Sequence, residues 1–270
     1  MALPPPSDTS TALITGASSG IGEAIARELA GRGHGVTLVA RRVERLRELA
    51  GEIADAHGVR AEAVGADLGD APGRDALAAR LDELGVTVEV LVNNAGFGDS
   101  GEVSRTDRER IVSMVELNCV ALLDLQARHS RGMADRGRGA IINVASTAAF
   151  QPIPGTATYA ATKAFVLSLS EATHSELKGN GVTVTALCPG PVKTEFVEVA
   201  EIGGAEERLP EIFWTEVEDV ARAAVDGADR GKRVVVPGLM NRAGALSGQH
   251  SPRMFVLPLA KRLWHQGTSG

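Results

Sequence analysis

The only tyrosine of the chain, Tyr159, lies four residues before Lys163 and thirteen residues after Ser146. Residues four apart share one face of a helix, and the pattern of residues 158–177 predicts a helix. A phenol titrates near about 10, and a neighbouring ammonium lowers that pKa enough for proton transfer. A serine hydroxyl could hold a carbonyl or alcohol oxygen beside the phenol. The spacing therefore indicates acid–base chemistry, the alternative being a surface pair on an amphipathic helix.

A glycine-rich segment near the N-terminus has the features of a phosphate-binding turn. Residues 11–15 are an apolar run that predicts a strand, and residues 23–32 predict a helix. Between them lie Gly16, Gly20 and Gly22. Glycines let the backbone approach a pyrophosphate, whose charge is stabilised by a helix N-terminus. The spacing differs from the common G-x-G-x-x-G fingerprint, so a turn that serves only packing is the alternative.

Strands and helices alternate along the chain and must position these groups. Further strands are predicted at 36–40, 60–66, 89–92, 140–145, 183–187 and 233–236, and further helices at 43–57, 74–84, 106–131 and 217–229. This alternation predicts an α/β fold, a Rossmann-type doubly wound parallel sheet of about seven strands with helices on both faces in a single domain. Ligands bind beyond the carboxyl ends of such strands. Five residues follow predicted strands and are expected at that edge: Gly16, Asp67, Asn93, Ser146 and Pro189.

Over residues 11–237 the chain resembles the short-chain dehydrogenase/reductase family. The resemblance is carried by TGASSGIG at 15–22, NNAG at 93–96 and PGPVKT at 189–194, with the catalytic tetrad expected at Asn118, Ser146, Tyr159 and Lys163. It implies that Tyr159 exchanges a proton with the substrate oxygen, which Ser146 orients. Lys163 would lower the tyrosine pKa and bind the nicotinamide ribose. Asn118 would hold a water of the proton relay.

The same resemblance implies a set of cofactor-binding residues. These are Gly16, Ser18, Ser19, Gly20, Ile21, Gly22, Asp67, Leu68, Asn94, Ala95, Gly96, Tyr159, Lys163, Pro189, Gly190, Val192 and Thr194. The second predicted strand ends in Arg41 and Arg42 rather than in an acidic residue that would bind a ribose 2′-hydroxyl. Guanidinium groups suit a 2′-phosphate, so NADP(H) is preferred over NAD(H), with Arg41 as the nearer contact. The alternatives are arginines paired with glutamates of the next helix, and an Asp67 that caps a helix.

Composition limits the partners and the compartment. The net charge of −6 and the pI near 5.6 argue against a nucleic-acid partner. Two separated cysteines and six histidines without ligand spacing predict no disulfide framework and no metal site. No apolar run approaches the length of a membrane span, and residues 1–10 are expected to form a disordered lead-in. A cytoplasmic location is expected.

The substrate pocket is expected to include Phe97, residues 148–154 and a lid at residues 195–216 that is apolar inside and acidic outside. An apolar wall favours a ketone, aldehyde or alcohol on a hydrophobic small molecule. A 3-oxoacyl or long-chain lipid ketone reductase is the first alternative, although an acidic lid disfavours a carrier-bound substrate. A non-catalytic NADP-binding sensor or scaffold is the second alternative, and the intact Ser146, Tyr159 and Lys163 argue against it.

Two expectations concern assembly and the C-terminus. The helix that carries Tyr159 has more apolar surface than one buried face needs, because it includes Phe165, Leu167 and Leu169. This surface predicts a homodimer or homotetramer. Residues 238–270 form an extension beyond the family's common core, and residues 252–265 are apolar, basic and tryptophan-bearing. Contact of this tail with a membrane interface is the less favoured reading, because three positive charges are few for electrostatic anchoring. Folding back over the cleft or onto a neighbouring subunit is favoured.

Overall fold

In the computed structural model, which describes residues 3–193, 210–251, 253–254 and 257–258, one parallel sheet forms the centre of the protein. Its strands are β1 (Ser10–Thr15), β2 (Val36–Ala40), β3 (Ala61–Gly65), β4 (Thr87–Asn93), β5 (Gly139–Val144), β6 (Val182–Leu187) and β7 (Val234–Val235). The spatial order is β3-β2-β1-β4-β5-β6-β7. The chain therefore reverses its direction of growth between β1 and β4, where a doubly wound sheet opens a crevice. The predicted fold class is confirmed.

Helices connect successive strands and cover both faces of the sheet. Their bounds are α1 (Gly20–Gly31), α2 (Val43–His57), α3 (Ala71–Leu84), α4 (Arg108–Val115), α5 (Leu122–Arg136), α6 (Ala157–Leu177), α7 (Val217–Asp229) and α8 (Leu239–His250). Local sequence explains several ends. The Asp70 side chain accepts a hydrogen bond from Gly73 N and begins α3, and Gly85 ends that helix in a left-handed conformation. None of the described helices combines the length and apolar character that a bilayer crossing requires.

The core is divided by the sheet because side chains alternate along each strand. In β1, Ala12 and Ile14 pack with α1, α2 and α7, whereas Leu13 faces the opposite side and packs with α3 and α5. A third buried cluster lies under α6. Each fully buried Leu or Ile stabilises the fold by about 1.5–3 kcal/mol. These clusters hold the strand ends, and with them the residues that follow the strands, in fixed positions.

The long helix expected at residues 106–131 is built from three parts. Asp107 caps α4 by accepting from the backbone N–H groups of Glu109 and Arg110. Between α4 and α5, residues Glu116–Ala121 form a π-helical turn, which contains Asn118. A π turn adds one residue to the helical repeat and is frequent at functional sites. The helix was predicted, but the change of pitch was not.

Both ends of the described chain pack against the core. Leu3 is buried, and its backbone N–H donates to Asp229 Oδ1 over 3.4 Å. Ser10, expected in a disordered lead-in, begins β1. At the other end, α8 packs against the short 3₁₀ helix Thr147–Phe150, so the first part of the C-terminal extension lies beside the segment that follows Ser146. Residues 252, 255–256 and 259–270 of the tail lie outside the described residues.

Candidate active site

Ser146 stands where β5 ends and is held beside the strand-end turn of β6. Val144 pairs with Leu187 in the parallel register, and Thr147 N donates to Pro189 O over 2.9 Å. Ser146 has an extended backbone, and its Oγ accepts from Ala148 N over 3.1 Å at the start of the 3₁₀ helix. This bond uses a lone pair and leaves the hydroxyl proton for a ligand oxygen. Ser146 can therefore orient an oxygen atom at the carboxyl edge of the sheet.

Tyr159 and Lys163 lie one helical turn apart in the first half of α6, as their spacing predicts. Lys163 Nζ is 5.7 Å from the centroid of the Tyr159 ring and donates to Val144 O over 2.9 Å. Lys163 is 6% exposed. Burial lowers the pKa of its ammonium to about 8. Because Val144 belongs to β5, this bond fixes a buried positive group next to the tyrosine and just before Ser146.

Two cysteines flank this buried lysine and supply no negative charge. Cys119 and Cys188 are both buried and free. Burial raises the pKa of the Cys119 thiol, and it raises the pKa of Cys188 to about 12. Both thiols are therefore neutral when the lysine is charged, and they act as packing residues.

Asn118 projects from the π-helical turn and holds the loop that follows β4. Its Nδ2 donates to Phe97 O over 2.9 Å, and its Oδ1 accepts from Phe97 N over 3.1 Å. A Cβ at Gly96 would lie 2.7 Å from Asn118 Oδ1 and 3.8 Å from Lys163 Nζ. This close approach explains the glycine in the NNAG segment. The predicted tetrad residues Asn118, Ser146, Tyr159 and Lys163 therefore come together at one edge.

Thr162 was not predicted as part of the site, although it connects two of its members. Its Oγ1 accepts from Asn118 Nδ2 over 3.1 Å and donates to Tyr159 O over 2.8 Å. A threonine inside a helix often donates to a carbonyl of the preceding turn, but this local tendency does not predict a second hydrogen bond to a distant residue such as Asn118. Thr162 ties Asn118 to the helical turn that carries Tyr159.

The glycine-rich turn between β1 and α1 is shaped to admit a phosphate group. Gly16 and Gly20 have positive φ angles of 63° and 58°. A Cβ at Gly22 would overlap the carbonyl oxygen of Gly16. Ser19 makes no side-chain cap at the start of α1, so the first N–H groups of that helix face the turn without a capping oxygen. These are the properties of an anion-binding helix N-terminus.

The NNAG segment supports this turn from the neighbouring strand. Asn94 Nδ2 donates to Thr15 O over 3.0 Å and to Gly16 O over 3.1 Å. Thr15 Oγ1 in return accepts from the N–H groups of Asn94 and Ala95, each over 3.0 Å. The turns after β1 and β4 are thus hydrogen-bonded to each other across the crevice, next to the tetrad.

The fold and the motifs of the chain were compared with those of known protein families. The family model for the short chain dehydrogenase matches residues 10–202. The chain belongs to the short-chain dehydrogenase/reductase family. As a member of this family it is an oxidoreductase that interconverts an alcohol and a carbonyl compound. The family match covers β1 to β6 and every residue of the predicted tetrad.

Three proteins that are similar to this short-chain dehydrogenase/reductase differ in the substrate or cofactor with which they are described. A very-long-chain 3-oxoacyl-CoA reductase of Anas platyrhynchos is 35% identical over 199 residues, 70% of this chain but only 62% of that relative. A short-chain dehydrogenase from Sphingobium yanoikuyae, solved in complex with NADPH, is 39% identical with a TM-score of 0.78, covering 92% of this chain and 95% of that chain. The bulky-bulky ketone specific alcohol dehydrogenase from Comamonas testosteroni is 31% identical with a TM-score of 0.75, covering 98% and 96%.

The two arginines after β2 differ in position. Arg42 Nε and Nη2 donate to Ser18 Oγ over 3.2 and 3.1 Å, and Nη2 also donates to Ser19 Oγ over 3.0 Å. Arg41, which the sequence favoured as the nearer contact, is exposed, and its side chain donates no hydrogen bond to this turn. Arg42 is therefore the guanidinium that the structure places on the glycine-rich turn of this short-chain dehydrogenase/reductase.

The Asp67–Leu68 pair after β3 is held by bonds from Gly69 and Arg74 and by burial of the Leu68 side chain. Asp67 Oδ1 accepts from Gly69 N over 2.9 Å, and α3 is capped by Asp70 instead. The Leu68 side chain is buried in the core, and its carbonyl accepts from Arg74 Nη1 over 2.9 Å. Any cofactor contact at Leu68 would thus involve main-chain atoms. This part of the predicted cofactor site stays a prediction.

The remaining predicted residues follow β6, lie on the loop after β4 or lie outside the described residues. Gly190 and Val192 follow β6, and Val192 forms a parallel bridge with Thr215.

The Arg110 guanidinium lies over the Phe97 ring, with Cζ 5.7 Å from the ring centroid. Arg110 Nε also donates to the buried Asp99 carboxylate over 2.9 Å. This ion pair was not predicted. Thr194 and residues 195–209 of the expected lid lie outside the described residues. Among those that are described, no group of three or more His, Cys, Asp or Glu could hold a metal ion.

Proposed function

We propose that this chain is an NADP(H)-dependent oxidoreductase that interconverts a ketone or aldehyde and the corresponding alcohol on a hydrophobic small molecule. The observation that carries the proposal is the buried Lys163 beside Tyr159 at the end of β5. No other described part of the chain pairs a proton donor with a buried cation at the carboxyl edge of the sheet. When bound, the nicotinamide would deliver the hydride to the carbonyl carbon, or accept it in the reverse direction.

The side chains of the site supply proton transfer and orientation. In reduction the Tyr159 hydroxyl gives its proton to the substrate oxygen as the C=O π bond breaks, and in oxidation the phenol oxygen takes a proton back. The Lys163 ammonium stabilises the negative charge on that phenol oxygen. The Ser146 hydroxyl donates to the reacting oxygen and fixes its direction. Asn118 Oδ1 has a second lone pair, which can hold the water of the relay.

Cofactor choice is assigned to Arg42 and the two serines that it contacts. A 2′-phosphate placed between Ser18, Ser19 and Arg42 would replace the present guanidinium–hydroxyl bonds with guanidinium–phosphate bonds, in which both partners are charged. The strand end offers no carboxylate for a ribose 2′-hydroxyl. The relative from Sphingobium yanoikuyae was solved with NADPH, which supports the same cofactor here.

A hydrophobic substrate is supported by the residues around the tetrad. Phe97 is hydrogen-bonded to Asn118 through its backbone, and Phe150 ends the 3₁₀ helix that Ser146 begins. Both side chains are partly buried, as are those of Phe213 and Trp214 before α7. The relative from Comamonas testosteroni is described as specific for bulky-bulky ketones. The second candidate, a long-chain 3-oxoacyl reductase, is favoured by the name of the Anas relative. Rates with bulky ketones and with 3-oxoacyl thioesters of increasing length would separate the two.

The assembly is proposed to be a homodimer or homotetramer. Apolar side chains are exposed on α4, on the π-helical turn, on α5 and on α6: Val112, Val115, Val120, Leu123 and Phe165. Of the three α6 residues that suggested an interface, Phe165 is 39% exposed, whereas Leu167 is buried. Exposed apolar surface on adjacent helices is the kind that symmetric assemblies cover. A cytoplasmic location is proposed as well, since both free cysteines suit a reducing compartment.

The test is turnover of a panel of ketones and aldehydes with NADPH, followed by the loss of its absorbance. Tyr159→Phe is expected to lower turnover by about 10²–10⁴-fold, because it removes the proton donor, while NADPH binding is retained. Ser168→Ala removes an exposed hydroxyl from the same helix and serves as the control. A Tyr159→Phe enzyme within about threefold of the wild-type rate would refute the proposed acid–base role.

A further inference from the structure

Asn241, in the first turn of α8, is a buried amide that the proposed mechanism does not use. It is 5% exposed. Its Nδ2 donates to Phe213 O over 3.0 Å and to Thr215 Oγ1 over 3.3 Å. Both N–H groups of the carboxamide are therefore used by the short segment that precedes α7. Asn241 ties the C-terminal extension to a part of the chain that lies next to the catalytic edge.

The same side chain packs against the turn that follows β6. A Cβ added at Gly190 would overlap the Asn241 carboxamide, so the two residues are in direct contact and glycine is required by space. Gly238 approaches from the other side, since a Cβ there would lie 3.0 Å from Asn241 Nδ2. The carboxamide therefore fills the space between the Gly190 turn and the start of α8.

A second route leads from Asn241 to the same turn through Thr215. Thr215 N donates to Pro191 O over 3.1 Å, and Thr215 pairs with Val192 in a parallel bridge. Asn241 thus holds the residue that holds Pro191 and Val192. Direct packing and this indirect bond act on the same short segment, Pro189 to Val192.

The helix that carries Asn241 also supports the opposite wall of the cleft. α8 packs against the 3₁₀ helix that Ser146 begins, and a Cβ at Gly248 would lie 3.1 Å from Gln151 Oε1. Thr147 N in turn donates to Pro189 O. The extension is therefore packed against both the serine side and the proline–glycine side of the active site.

We infer that Asn241 is a positioning residue for the nicotinamide end of NADP(H). It fixes the Pro189–Val192 segment, which the family resemblance assigns to the cofactor site and which is hydrogen-bonded to Thr147, next to Ser146 at the reacting end of that site. The inference therefore rests on the proposed function, in which the nicotinamide lies at this end. Asn241 does not reach the glycine-rich turn or Arg42, which would bind the adenosine end. Loss of its carboxamide should therefore weaken one end of the cofactor site and spare the other.

The experiment compares two ligands for each variant of the full chain: NADPH, and adenosine 2′,5′-bisphosphate, which has only the adenosine end. Asn241→Ala is expected to weaken NADPH binding about tenfold, because it leaves the Phe213 carbonyl and Thr215 hydroxyl without their donor. Binding of the bisphosphate should stay within about twofold of wild type. Asn241→Asp keeps the shape but removes both donors, so it should behave like Asn241→Ala. Arg242→Ala, at an exposed position of the same helix, is the control.

A double mutant tests the direct contact. Gly190→Ala alone should weaken NADPH binding, because the new methyl group overlaps the carboxamide. Asn241→Ala removes that carboxamide, so the double variant should bind NADPH no worse than Asn241→Ala alone. Strictly additive losses would overturn the direct contact as the cause.

The remaining outcomes separate the inference from the proposed function. Equal losses for both ligands in the Asn241 variants would mean that the residue stabilises the whole fold, and would overturn the inference. Unchanged NADPH affinity in Asn241→Asp would do the same. A wild-type protein that binds the bisphosphate but gains nothing from the nicotinamide half, and shows no NADPH turnover, would refute the proposed function and the inference together.

Discussion

Replacement of the buried lysine, Lys163→Met, should make the protein more stable and remove its activity. Lys163 holds a positive charge in a nearly water-free position, where burial lowers its pKa to about 8. Methionine has a similar length and no charge, so it fills the same space without that desolvation. Removal of a buried charge in favour of an apolar side chain is often stabilising. Turnover should be lost because Tyr159 no longer has a cation beside it.

The size of the effect follows from the pKa and from one hydrogen bond. A shift of the lysine pKa from 10.5 to about 8 costs the folded state roughly 3 kcal/mol at neutral pH. The bond from Nζ to Val144 O is lost in the variant, which costs about 1 kcal/mol. The net expectation is a gain of about 2 kcal/mol in the free energy of unfolding, or about 4 °C in Tm for a chain of this length.

The pH dependence of stability tests separately whether the buried lysine destabilises the folded protein. The unfolded chain keeps the lysine proton up to about pH 10.5, whereas the folded protein loses it above about pH 8. The wild type therefore gains stability as the pH rises through this window, because the unfolded state then binds more protons. The Lys163→Met variant lacks this term. Its advantage should be largest near pH 7 and should shrink towards pH 10.

The assay is urea unfolding of both proteins at pH 7 and pH 10, together with NADPH turnover at pH 7. Lys178→Met replaces an exposed lysine at the end of the same helix and should change stability by less than about 0.5 kcal/mol. A Lys163→Met protein that is less stable than wild type at pH 7 would refute the argument from desolvation. Retained turnover would refute the role of the ammonium in catalysis.

Two further predictions concern the cofactor and the assembly. Arg42→Ala should weaken NADPH binding by about ten- to a hundredfold and leave NADH binding nearly unchanged, whereas Arg41→Ala should have a small effect. Fluorescence titration of both cofactors measures these affinities, and equal losses for NADPH and NADH would mean that Arg42 has a structural role. Phe165→Glu should dissociate the proposed oligomer, because it places a charge in an apolar contact surface. Light scattering that gives only a 28.1 kDa species for the wild type at micromolar concentration would contradict the assembly itself.

Features that depend on short stretches of sequence could be predicted well. Helix α2 and strand β2 have the predicted bounds, since apolar periodicity and a left-handed Gly58 define them locally. The pairing of Tyr159 with Lys163 follows from helical geometry alone. The glycine turn was also predicted, because a strand followed by closely spaced glycines and a helix leaves few other conformations.

Features that depend on contacts between distant segments could not be predicted. The contact of Arg42, rather than Arg41, with the glycine-rich turn depends on where Ser18 and Ser19 lie, 24 and 23 residues earlier. The π-helical turn at Asn118 changes helical pitch by one residue, and no composition signal marks it. The contact of Asn241 with Gly190 was not predicted, because α8 belongs to the extension beyond the family's common core. For Arg42 and Asn241 the deciding partner lies far away in sequence.

Asparagine recurs where the irregular segments of the active site must be fixed. Strand ends leave the sheet at this edge, so the following loops lose their ladder partners and need other donors for their carbonyl groups. Asn94 donates to Gly16 O, Asn118 to Phe97 O and Asn241 to Phe213 O. A carboxamide can bond such carbonyls without bringing charge near the buried Lys163 or a bound phosphate. A carboxylate has no N–H to donate and would repel the phosphates, whereas a lysine would add a second buried cation. The neutral amide is therefore the side chain that can hold these loops while leaving the electrostatics of the site to Arg42 and Lys163.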